Sequence, residues 1–124
     1  MEDVRFSLCM IVKNEEAVLK DCLDSLQALM DEIIIVDTGS TDRTKEIAAQ
    51  YTDKIYDFQW CNDFSAARNF AFSKATGDYI YSADADEYID AENRKKFQLL
   101  RNHCTTGNHI FYLYTAQLSL SYDL

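Results

Sequence analysis

Apolar positions recur in two distinct periods along the 124-residue chain. Residues 6–12 form a nearly continuous apolar run, as a strand buried on both faces should. From Glu15 the period changes. Val18, Leu19, Cys22, Leu23, Leu26 and Leu29 fall on one face at helical spacing, which predicts a helix over 16–29. Residues 32–37 form a second buried strand, rich in isoleucine. Ser40 or Thr41 can cap a helix running to about Tyr51, with Asp42 in its favourable first turn. Residues 54–58 read as a shorter third strand. Asp63 or Ser65 opens a helix through Lys74, and Gly77 closes it. Residues 79–83 make a fourth strand, 91–102 a helix, and 110–114 a final strand that can pair in either direction.

Strands therefore alternate with helices through short connections. That order predicts an α/β, Rossmann-like doubly wound sheet, mostly parallel, with right-handed crossovers and helices on both faces. Such sheets bind ligands beyond the C-terminal ends of their strands, near a switch in strand order. The residues just after each strand carry most of the functional weight.

Composition narrows the class. With 48% hydrophobic and 27% charged residues, the chain is neither disordered nor of low complexity. Its length suits one domain over residues 1–124. No apolar run reaches the ~18 residues of a membrane span. Met1-Glu2-Asp3 lacks the basic start of a signal peptide, so the expected location is cytoplasmic, the cytoplasmic face of a membrane included. A net charge of −9 disfavours nucleic acid as a partner. Cys9, Cys22, Cys61 and Cys104 show no CxxC spacing and read as buried reduced thiols. His103, Cys104 and His109 have no partner cluster and take a structural reading.

The predicted strand ends are lined with acids. Lys13-Asn14-Glu15-Glu16 follows strand one, Asp37-Thr38-Gly39-Ser40-Thr41-Asp42 strand two, and Asp84-Ala85-Asp86-Glu87 strand four. Glu15, Glu16, Asp42 and Asp63 suit helix N-termini and need no further role. Asp84 and Asp86 do not fit that account. They stand two apart on extended chain, so their side chains lean the same way and repel unless a cation lies between them. A hard divalent ion, Mn²⁺ or Mg²⁺, satisfies that pair and also favours phosphate oxygens. Neither GxGxxG nor GxxxxGK[ST] is present, which disfavours a dinucleotide oxidoreductase and a P-loop ATPase. Asp37 could accept an N–H from a base. Arg68 is either a solvated helix residue or a partner for a diphosphate.

Ile11-Val12-Lys13-Asn14-Glu15-Glu16, Ile34-Ile35-Val36-Asp37-Thr38-Gly39-Ser40-Thr41-Asp42, Ala67-Arg68-Asn69 and Gly77-Asp78-Tyr79-Ile80 leading to Asp84-Ala85-Asp86-Glu87 stand in this order. The series resembles the family 2 glycosyltransferases of the GT-A fold, bacterial members above all, over a donor-binding core of about 6–90. The resemblance implies a partial GT-A domain and transfer of a sugar from a nucleotide-diphosphate sugar, UDP-linked, to an unknown glycan, lipid or protein acceptor. It implies that Val12, Asn14, Glu15, Asp37, Arg68, Asp84 and Ala85 bind the donor. Asp84 and Asp86 match the metal-binding DxD. The implied mechanism is metal-assisted departure of the nucleoside diphosphate as the acceptor oxygen attacks the anomeric carbon.

The chain departs from the family pattern in having Ile11 where proline is frequent and Thr38 where a second acid is frequent. Only 38 residues follow Asp86, with no recognisable catalytic base, so the catalytic residue is unassigned and a donor-binding half is expected. A non-catalytic nucleotide-sugar-binding module is the nearest alternative. A phosphoacceptor receiver domain would use Glu15, Glu16, Asp57 and Ser82, but lacks its lysine after strand five. A nucleotidyltransferase would want a glycine-rich basic loop after strand one. The apolar tail with Phe111, Tyr112, Leu113, Tyr114, Leu118 and Leu120 predicts self-association.

Overall fold

β1 (Phe6–Val12) is buried along its whole length apart from the half-buried Ile11, because it has a strand on each side and a helix layer on each face. The computed structural model describes residues 4–86, 91–103 and 111–114. In chain order β1 is followed by α1 (Leu19–Leu26), β2 (Glu32–Asp37), α2 (Thr44–Ala48), β3 (Ile55–Asp57), α3 (Phe64–Ser73), β4 (Tyr79–Ser82), α4 (Ala91–His103) and β5 (Phe111–Tyr114). A short 3₁₀ turn, Gln27–Leu29, extends α1. The five strands lie in the order β3-β2-β1-β4-β5, all parallel, and this settles the direction of β5.

Alternation along β1 divides the core. Phe6, Leu8, Met10 and Val12 face a cluster with Leu19, Cys22, Leu23 and Leu26 of α1, Ala48 of α2 and Phe97 of α4. Cys9 faces the other side, with Ile34, Val36, Ile80 and Ala71 of α3. Helices cover both faces, as expected. One crossover departs from the expected hand. β5 lies beyond β4, yet Phe97 places α4 on the face of α1 and α2, so β4-α4-β5 turns opposite to the other three connections. The cause is aromatic packing. The rings of Phe6 and Tyr81 stand on that face with centroids 5.2 and 5.4 Å from Phe97.

Two helices begin later than their sequence pattern suggests. Residues 16–18 form a turn before α1, and α2 spans Thr44–Ala48, well inside the expected 40–51. α3 begins as expected, with Asp63 accepting from the Ala66 N–H at 3.3 Å. Cys9 and Cys22 are buried free thiols, while Cys61 is exposed, against the buried reading. Cys104, His109, Leu118 and Leu120 lie outside the described residues, so the tail that prompted the self-association expectation does too, apart from the backbone of β5.

Candidate functional site

The site is opened by a mismatch of ladder lengths. β1 pairs with β2 as far as Val12 with Asp37, but with β4 only as far as Cys9 with Ser82. Past Ser82 the chain peels away from β1, after one further bond from the Ala83 N–H to the Cys9 carbonyl. A cleft of about 410 Å³ lies there, between the end of β1 and residues 84–86. This is also the switch in strand order, with β2 and β3 on one side of β1 and β4 and β5 on the other.

β1 and its loop supply Ile11, Val12, Lys13 and Glu15 to the cleft, the β2 loop supplies Thr38, and the far wall is Asp84, Ala85 and Asp86. Ala83 and Ala85 are 4% exposed and belong to the core, whereas Asp84 and Asp86 between and beyond them are exposed. The buried alanines hold both carboxylates on the solvent side. Cys22 of α1 fastens this segment from behind, its thiol donating to the Asp84 carbonyl at 3.6 Å. Among the described residues no three His, Cys, Asp or Glu side chains gather around one point, and Asp84 and Asp86 both line the cleft. Two hard oxygen ligands fit a divalent ion that completes its shell with phosphate and water oxygens.

Asp37 does not line the cleft but sits beside Thr38, 2% exposed. Its Oδ1 accepts the Gly39 and Ser40 N–H groups at 2.9 and 2.8 Å. Its Oδ2 is buried and has no hydrogen-bond partner. Gly39 makes this turn at φ +121°, a backbone region that side chains disfavour. Asn14 points away from the cleft to the β2 loop. Arg68 is half-buried on α3, its guanidinium carbon 4.9 Å from the centroid of the Phe64 ring. The structure thus brings Val12, Glu15, Asp84, Ala85 and Asp86 together in the cleft lining, and leaves Asn14, Asp37 and Arg68 out of that lining.

Besides Ile11 and Thr38, three further cleft residues carry no site role in the sequence reading. Lys13 lines the cleft together with the acids Glu15, Asp84 and Asp86. Trp60 and Phe64 are 41% and 45% exposed, with ring centroids 6.5 Å apart. In sequence Trp60 follows the third strand and Phe64 stands at the start of the third helix, where residue type alone does not separate a cleft ring from a core ring. Asp57, by contrast, sits at the end of the edge strand and pairs with Lys45 Nζ at 2.8 Å. That bond and its charge raise the Lys45 pKa. A receiver domain needs its phosphoacceptor strand beside β1, in the order 2-1-3-4-5, so this sheet order removes that reading.

The sequence model of glycosyl transferase family 2 matches residues 7–112. The chain belongs to this family. It is 50% identical over 86 residues to a TPR repeat-containing protein of Synechococcus elongatus, covering 69% of this chain and 21% of that one. SunS, an SPbeta prophage-derived glycosyltransferase of Bacillus subtilis, is 41% identical over 88 residues, with the same shares covered. The chain therefore spans about a fifth of the length of these curated relatives. Residues 1–349 of S. aureus TarS, crystallised with UDP, match at a TM-score of 0.61 and 27% identity, over 79% of this chain and 32% of that one. Glucosyl-3-phosphoglycerate synthase from Mycobacterium tuberculosis, crystallised with Mn²⁺ and UDP-glucose, matches at 0.59 and 24%, over 68% and 34%. The fold is the α/β, Rossmann-like GT-A fold that these solved structures share. No helix among the described residues is long and apolar enough to cross a membrane.

Proposed function

We propose that this chain is the donor-binding half of a metal-dependent glycosyltransferase that uses a UDP-linked sugar, with its donor-binding core at about 6–90. The observation that carries the reading is the Asp84 and Asp86 pair, held on the solvent side where β4 peels from β1. Asp37 supports it, because a buried carboxylate oxygen without a partner costs stability until a donor reaches it. An N–H of a uracil-like base is such a donor, and the related TarS structure contains UDP.

In this reading Asp84 and Asp86 hold Mn²⁺ or Mg²⁺, which when bound neutralises charge on the departing diphosphate. Val12 and Glu15 lie along the nucleoside, Ala85 borders the sugar, and Arg68 serves the base or the diphosphate. The catalytic base and the acceptor site are unassigned in this reading. The acceptor is a glycan, lipid or protein. The chain's short span of its relatives favours a second reading for this segment in isolation, a binding module without turnover.

Calorimetric titration with UDP, with and without Mn²⁺, tests the reading. Trp60 is the single tryptophan and lines the cleft, so its fluorescence gives a second readout. Mn²⁺ should tighten UDP binding by about tenfold or more, about 1.4 kcal/mol. Asp86→Ala should abolish that enhancement. Asp37→Ala should weaken binding and leave the enhancement in place. Equal binding with and without Mn²⁺, or an unchanged Asp86→Ala, would defeat the proposal.

A further inference from the structure

Asn14 stands between two cleft residues, Lys13 and Glu15, but is itself turned to the neighbouring loop. Its φ is +53°, in the left-handed region. Its Oδ1 accepts the Thr41 N–H at 2.8 Å and the Thr41 hydroxyl at 3.4 Å. Its own N–H donates to Ser40 Oγ at 2.9 Å. The Ser40 N–H in turn donates to Asp37 Oδ1. A continuous path of bonds thus joins the tip of the β1 loop to the buried carboxylate after β2.

We propose that Asn14 is a positioning residue for the nucleoside diphosphate and does not touch it. It locks the β1 loop to the β2 loop, and so sets Asp37 on one side and Lys13 and Glu15 on the other before the ligand arrives. This role rests on the donor site proposed above. Backbone geometry alone does not account for the residue. Glycine would adopt this φ at lower cost, whereas asparagine tolerates it and adds an acceptor. The acceptor is what Thr41 uses. Pre-set loops bind more tightly because their ordering cost is met during folding.

The rest of the junction makes the role separable from stability. The Glu15 N–H donates to Thr44 Oγ1 at 2.8 Å, and the Glu16 N–H to Asp42 Oδ2 at 3.3 Å. Removing the Asn14 side chain therefore loosens the tip while these two bonds keep the loops together.

The experiment compares Asn14→Gly and Asn14→Asp with the parent chain. UDP affinity is measured with and without Mn²⁺, beside a thermal melt. Asn14→Gly should melt close to the parent, bind UDP about fivefold more weakly, and keep the same ratio of affinities with and without Mn²⁺. Asn14→Asp retains an acceptor for Thr41 and should recover most of the affinity at about 0.3 M salt, where its added charge is screened. Parent-like affinity in Asn14→Gly would overturn the role, as would an Asn14→Asp no better than Asn14→Gly. A parent chain that binds no UDP with Mn²⁺ would overturn the donor-site reading and this role with it.

Discussion

Glu32 is a charged residue 5% exposed at the end of the sheet opposite the cleft. Its carboxylate accepts from the Ser7 hydroxyl at 2.7 Å, the Thr76 N–H at 2.8 Å, the Thr76 hydroxyl at 2.9 Å and the Lys54 ammonium. Burial alone would raise its pKa, but the bonds from Lys54, Ser7 and Thr76 outweigh burial and hold it at about 2. Ser7 Oγ also accepts the Gly77 N–H at 2.9 Å. A Cβ at Gly77 would stand 2.6 Å from that oxygen, so the residue serves close approach here and does not close α3. The lowered pKa sets a sign: the stabilisation is fully present above the ordinary value near 4.5 and is lost as pH falls toward 2. It amounts to roughly 3 kcal/mol. Urea unfolding from pH 7 to pH 2 should therefore show a falling midpoint, and Glu32→Gln should start lower and lose much of that slope. None of this was legible locally. Ser7 and Thr76 lie 25 and 44 residues from Glu32, and in sequence Glu32 reads only as the polar start of a strand.

At the scale of elements, the strands and the starts of α3 and α4 were legible, and the starts of α1 and α2 were not. An apolar run such as Phe6–Val12 names a buried strand whatever surrounds it. Ser40 and Thr41 have the chemistry of helix caps, but their groups go to Asp37 and Asn14, so α2 starts at Thr44. There the Asp42 carboxylate accepts from the Thr44 hydroxyl and N–H, and these bonds lower its pKa. Likewise the Glu15 N–H is spent on Thr44 of α2 and the Glu16 N–H on Asp42 of the β2 loop, and α1 starts at Leu19. At the end of β4 the alternation of alanine and aspartate was visible as DxD, but its burial was not. Ala85→Leu should test that arrangement. The larger side chain cannot fit behind the segment and should cost about 1–3 kcal/mol. It should also remove the Mn²⁺ enhancement of UDP binding, measured as the ratio of the two affinities, while metal-free binding persists.

The whole molecule joins an acidic chain of net charge −9 to a family that handles nucleotide sugars. Alternation of elements made the parallel α/β class legible, and four motifs in order made the family legible. The hand of the last crossover was not, because it depends on which face receives Phe97. The seam between β1 and β4 carries one more consequence, for the time course of folding. β1 meets β2 across a short stretch of chain, whereas the Arg5 N–H bond to Asp78 that opens the β1–β4 seam spans 73 residues. Closing so long a loop is entropically expensive, so this seam should be zipped late. A ligand seated across it would act on contacts absent from the folding transition state. Such contacts slow unfolding and leave refolding almost untouched. Stopped-flow traces with UDP and Mn²⁺ should show that asymmetry, with an equal effect on both rates as the contrary result. The nucleotide would then work as a bolt across the last joint to close, lengthening the life of the folded chain without hastening its birth.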